Sequence, residues 1–143
     1  MKQRVLIADG DTELCDLYLR FVSEAGYEVE TSSDALDCLR KLRQRSPAVM
    51  VLNLELHWGG GDGVLAWLRE ERHAPGIPVI LTATAGHPWD MANFTGPPVV
   101  DCLPKPFALR ALLESVRSAV ARTGQWERSN RDRVPSCSEL FIG

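Results

Sequence analysis

Residues Ala48 to Leu52, AVMVL, form an unbroken apolar run opened by Pro47. A strand with one wet face alternates apolar and polar side chains, so a run without alternation calls for cover on both faces, as in the middle of a parallel sheet. Strand-like runs at Arg4–Ala8, Tyr27–Thr31, Ile77–Leu81 and Val99–Leu103 flank it on either side in sequence. Helical periodicity separates them. Leu14, Leu17, Tyr18, Phe21 and Val22 recur at helical spacing before Gly26, and Ala35, Leu36, Leu39 and Leu42 share a second stripe capped by Ser32 or Ser33. Val64, Leu65 and Leu68 form a third stripe after the glycine-rich loop His57 to Gly63, and Leu109, Leu112, Leu113, Val116 and Val120 form another between about Ala108 and Arg122.

Such alternation predicts an α/β fold: one doubly wound five-stranded parallel sheet with helices on both faces. Ligands then bind outside the carboxyl ends of the strands. The stretch Gly86 to Pro98, rich in proline and glycine, breaks the periodicity and supports a short or distorted helix at most. Beyond Thr123 the periodicity fades, so residues 1–123 are expected to form the domain and 124–143 a flexible tail, too short for a further output domain.

Composition narrows the function. The chain has 143 residues, 45% hydrophobic and 24% charged, with no apolar run near the roughly 20 residues a membrane helix needs. A net charge of −3 without a basic stripe argues against direct nucleic-acid binding. Cys15, Cys38, Cys102 and Cys137 are scattered, with neither zinc-site nor disulfide-framework spacing, and no signal peptide is evident before Val5; a cytoplasmic protein is expected.

Three stretches, VLIADGD at the first strand, SPAVMVLNLEL with GGGDG at the third, and CLPKPF after the fifth, resemble the response-regulator receiver domains of bacterial two-component signalling. The resemblance covers residues 4 to about 122. It implies a flavodoxin-like receiver fold working in phosphorelay signal transduction, in which an acidic cluster holds Mg²⁺ and an aspartate ending the third strand accepts a phosphoryl group. A hydroxyl and a lysine contact that group in the family.

Carried over by motif, the first acidic position is Asp9, and the second, commonly another carboxylate, is Gly10. Asn53 stands at the acceptor position within Leu52-Asn53-Leu54. The hydroxyl falls on Thr82, with Thr84 as a second candidate because the strand counts one residue short from Pro78. Lys105 matches the lysine and Pro106 the proline that follows a cis peptide bond. Cys102 occupies a position where many members carry an inward-swinging Tyr or Phe.

A carboxamide is not the anionic oxygen nucleophile that acyl-phosphate formation requires. With Asp9, the Asn53 carbonyl oxygen and backbone oxygens to offer, Mg²⁺ binding is expected to be weak or absent, and no cofactor is expected. Deleting a charge also relieves repulsion: two carboxylates about 5 Å apart at an effective dielectric of about 20 repel by roughly 3 kcal/mol. Lys105 would then pair with Asp9 or donate to Asn53.

These substitutions imply a pseudo-receiver, a non-enzymatic adaptor that binds a protein partner such as a histidine-kinase-pathway component without phosphorylation, and leave a homodimer open. A competing alignment counts back from Asp62-Gly63 to Glu55 and makes it an alternative acceptor. A different class is represented by Glu55-Leu56-His57-Trp58-Gly59-Gly60, distantly similar to a cobalamin-binding motif, which would make the chain a small-molecule module. His57, Trp58, Trp89, Phe94 and the tail are candidate partner contacts.

Overall fold

The computed structural model describes residues 2–56, 60–70, 76–84 and 96–131, with backbone alone for 123–131. Its elements run β1 (Arg4–Ala8), α1 (Thr12–Glu24), β2 (Glu28–Ser32), α2 (Ala35–Gln44), β3 (Val49–Asn53), α3 (Gly60–Glu70), β4 (Val79–Thr84), β5 (Val99–Lys105) and α4 (Leu109–Arg131). The five strands pair in parallel in the order β2-β1-β3-β4-β5. This is the doubly wound sheet expected from the alternation, and the order reverses between β1 and β3, where such folds open a crevice.

Every residue of β1 and β3 is buried, which accounts for their lack of polar alternation. One face, built from Leu6, Ala8, Met50, Leu52, Leu81 and Ala83, packs on Cys38 and Leu42 of α2 and Val64, Leu65 and Leu68 of α3. The other, from Val5, Ile7, Val49, Val51 and Ile80, packs on Tyr18 and Val22 of α1 and Leu112, Val116 and Ala119 of α4. No helix among the described residues is long and apolar enough to cross a membrane.

Several local expectations are corrected. The cap of α2 is Asp34, which accepts the Asp37 N–H at 2.8 Å, not Ser32 or Ser33. Ser32 ends β2, and its hydroxyl instead donates to Asp37 Oδ2 at 2.8 Å. Cys38 faces the core where Leu36 was expected, leaving Leu36 68% exposed; likewise Cys15 is buried and Leu17 is 46% exposed. Strand β4 runs on to Thr84, β5 to Lys105, and α4 passes the expected end near Arg122 to reach Arg131.

Helix α3 begins at Gly60, inside the stretch read as loop. Its first turn lies so close to the end of β3 that a Cβ on Gly61 would stand 2.3 Å from the Asn53 carbonyl oxygen and 2.6 Å from Leu54 Cα. Only glycine permits that approach. Residues 57–59, 86–95 and 132–143, and with them His57, Trp58, Trp89, Phe94 and half of the cobalamin-like motif, lie outside the described residues.

Two outcomes follow from this packing. Gly61→Ala is expected to lower stability by about 2 kcal/mol, because the methyl meets backbone that cannot swing aside, measured by urea unfolding. Asp37, despite the burial that pushes its carboxyl up, is held down to about 2 from 3.8 by hydrogen bonds from Arg40, Lys41 and Ser32. A carboxyl lowered on folding contributes fully above its unfolded value and loses that contribution as pH falls through its folded one. The stability difference between wild type and Asp37→Asn should therefore shrink from pH 4 to pH 2, and a difference constant over that window would refute the assignment.

Candidate functional site

The two-residue period of a strand carries the site to one edge of one face. Val5 and Ile7, Val49 and Val51, Ile80, and Leu103 all look toward α1 and α4. Continuing the period from each brings Asp9, Asn53, Thr82 and Lys105 to that same side at the carboxyl ends of the strands. Asp9 is 2%, Asn53 6% and Thr82 2% exposed, and Asn53 and Thr82 are register partners across β3 and β4.

Lys105 Nζ donates to Asp9 Oδ2 at 2.6 Å. Because β3 and β4 lie between β1 and β5, this ion pair arches over the ends of the two central strands, where Asn53 and Thr82 stand. The other Asp9 oxygen accepts the Asp11 N–H at 2.9 Å, and Asp11 in turn caps α1 by accepting from Glu13 and Leu14. The Lys105–Pro106 peptide is cis. Phe107, next along, stacks on Tyr18 of α1 with ring centroids 5.7 Å apart, which anchors the chain just beyond the lysine. Burial, and then the Asp9 carboxylate, push the Tyr18 hydroxyl up to about 12 and the Cys15 thiol up to about 11. The Cys15 thiol donates to the Asp9 carbonyl at 3.2 Å.

The remaining candidates fall around this cluster. Gly10 is a partly exposed bend that adds no side chain. Asn53 Oδ1 accepts the Glu55 N–H at 3.0 Å, a local turn after β3. Glu55 turns its carboxylate to Thr84, taking the Thr84 N–H on Oε1 at 2.5 Å and the hydroxyl on Oε2 at 3.0 Å. Cys102 packs, half-buried, against the opposite core, so the structure does not bring it to the Asp9–Lys105 side; burial and the neighbouring Asp101 raise its thiol. The Glu55–Thr84 pairing escaped the sequence, where its only trace is two polar residues at the ends of adjacent strands.

The donor set does not suit Mg²⁺. That ion demands several hard oxygens in near-octahedral array, whereas both Asp9 oxygens are already engaged, Gly10 has no side-chain oxygen to give, and Asn53 Oδ1 accepts the Glu55 N–H. No group of three His, Cys, Asp or Glu among the described residues could hold a metal ion.

A family model, the response regulator receiver domain, matches residues 5–117. The chain belongs to that family. This receiver domain is 28% identical over 120 residues to the transcriptional regulatory protein CpxR homolog of Haemophilus influenzae, covering 84% of the chain and 51% of that protein. It is 29% identical over 136 residues to the DNA-binding dual master transcriptional regulator RpaA of Synechocystis, covering 95% of the chain and 53% of that protein. It thus spans about half the length of these relatives. In structure it resembles a CheY-like response regulator receiver domain protein from Methanospirillum hungatei, with a TM-score of 0.80 and 22% identity over 87% of this chain and 98% of that one. Receiver domains are regulatory modules of two-component systems and work by contact with other proteins, such as kinases and effector domains.

In this receiver domain the Asp9 side chain is 3% and the Lys105 side chain 17% exposed, so each charge depends on the other. Removing one partner of such a buried pair leaves the other uncompensated. Lys105→Met should therefore cost about 3 kcal/mol in urea unfolding, while Asp9→Asn/Lys105→Met costs less than the two single changes added together. Strict additivity would show that the pair is not coupled.

Proposed function

We propose that this chain is a pseudo-receiver: a cytoplasmic, non-enzymatic signalling module that engages a protein partner without being phosphorylated. The observation that carries the reading is Asn53, buried at the carboxyl end of β3, level with Thr82 and beneath the Lys105–Asp9 pair. On this reading Asn53 occupies the phosphoacceptor position. Transfer there would need a carboxylate oxygen to attack phosphorus while cations absorb charge on the transferred group. The amide has no anionic oxygen, and the lysine is already engaged by Asp9.

Glu55 is the competing acceptor. Both of its carboxylate oxygens are bonded to Thr84, which favours a structural role over attack on phosphorus. The Synechocystis relative is named for DNA binding, and this chain matches about half of it; the net charge of −3 supports contact with protein rather than nucleic acid for this chain. Cys15 and Cys38 are free and buried, which accords with a compartment where disulfides are rare.

The deciding experiment is intact-mass analysis after incubation with acetyl phosphate and Mg²⁺. Wild type should gain nothing, whereas Gly10→Asp/Asn53→Asp should gain one hydrolysable phosphoryl group. Wild-type labelling abolished by Glu55→Gln would replace the proposal with the competing acceptor. Without Mg²⁺, Asn53→Asp should also lower stability at pH 7 by roughly 1–3 kcal/mol, since it sets a second carboxylate beside Asp9.

A further inference from the structure

In a parallel pair the rungs are evenly spaced, every second residue bonding through its N–H and C=O to two residues on that neighbour. The β3–β4 ladder includes Met50 N–H to the Pro78 carbonyl and ends with Leu54 N–H to the Thr82 carbonyl at 2.9 Å. The next rung would run from the Thr84 N–H to the Leu54 carbonyl. That carbonyl is occupied: it accepts the Gly61 N–H at 3.2 Å, because the first turn of α3 closes onto the end of β3. Thr84 is nevertheless bonded, through N–H and hydroxyl, to the two carboxylate oxygens of Glu55.

We propose that Glu55 is a positioning residue, a side-chain rung that replaces the lost backbone rung and fixes the end of β4 to the turn after β3. The rung has a defined root. Asn53 Oδ1 holds the Glu55 N–H, so position 53, the turn and Thr84 form one bonded chain. Thr84 lies level with Lys105 on β5, which places the rung beside the base of the Lys105–Asp9 arch. A carboxylate suits the role because it offers an acceptor to each of two donors at once. The end of β4 is thereby set by the residue at position 55, with no transferred group required.

That last consequence rests on the pseudo-receiver reading, whereas the rung itself does not, and the two fail separately. Phosphorylation of wild type would overturn the former and leave the latter standing. Amide hydrogen exchange on the full chain, followed residue by residue by NMR, tests the rung. Exchange at residue 84 is compared with Ile80 in the strand interior, which reports separately any change in the stability of the sheet as a whole. Wild type should protect the Thr84 amide, and Glu55→Ala should cut its protection relative to Ile80 at least tenfold. Thr84→Val removes only the hydroxyl and should cost the residue 84 amide much less. Asn53→Ala should reduce protection at Thr84 by a smaller factor than Glu55→Ala. An unprotected Thr84 amide in wild type, or an unchanged ratio in Glu55→Ala, would overturn the proposal, as would Thr84→Val matching the Glu55→Ala loss. No change in Asn53→Ala would overturn the link to position 53.

Discussion

The Lys105–Asp9 ion pair can form only if the whole sheet is in order. Its partners come from β1 and β5, with β3 and β4 between them, and neighbouring strands lie about 4.8 Å apart. A lysine stem can cross that span only by running over the strand ends. It must also start from a backbone held in place, which the Phe107–Tyr18 stack and the packing of α1 and α4 provide. Asp9, for its part, sits where almost no water reaches it and needs a cation and a donor. Lys105 and the Asp11 N–H supply them. The charge pair is thus a consequence of topology and also a constraint on it.

Beneath that pair the chain resolves a competition for backbone groups. The end of β3 could continue its ladder with β4 or receive the first turn of α3. Gly61, with no side chain to hold the helix away, tips the outcome toward α3, and the Leu54 carbonyl goes with it. The Thr84 N–H then meets a carboxylate instead of a carbonyl. Leu54 and Leu56 are meanwhile buried in the α2–α3 core, so the turn that carries Glu55 is pinned on both sides of it.

Much of this was legible because it depends on period and sign. Unbroken apolar runs marked buried strands, and two-residue alternation was enough to bring Asp9, Asn53, Thr82 and Lys105 to one edge once the strand order was known. An Asp just before a helical stripe is a common cap, and Asp11 caps α1 in that way. What periodicity could not decide was the centre of each stripe. In α1 and α2 the larger Leu17 and Leu36 were taken inward, whereas the helix phase points Cys15 and Cys38 at the sheet, and neighbouring positions differ by about 100° of rotation. Ser32 and Asp34 are both good caps by type, and only the end of β2 distinguishes them. The Glu55–Thr84 rung needed three dimensions, because its partners lie 29 residues apart with α3 between them.

The proposed loss of phosphoryl chemistry and the pairing of Lys105 with Asp9 have one electrostatic cause. A site with carboxylates at positions 9, 10 and 53 would carry three negative charges against one lysine, and a divalent cation would relieve that excess. With glycine and asparagine at the latter two, two of those three charges are absent, and the Asp9 carboxylate pairs with the Lys105 ammonium. Lys105 is then not divided among several anions, so it can settle on Asp9 at 2.6 Å. Asn53 can still accept the Glu55 N–H through Oδ1, keeping the turn that a carboxylate would also have made. On the proposed reading, the amide therefore keeps a hydrogen-bond acceptor at the end of β3 while withdrawing the charge that would make a metal, and a phosphoryl group, worth holding there.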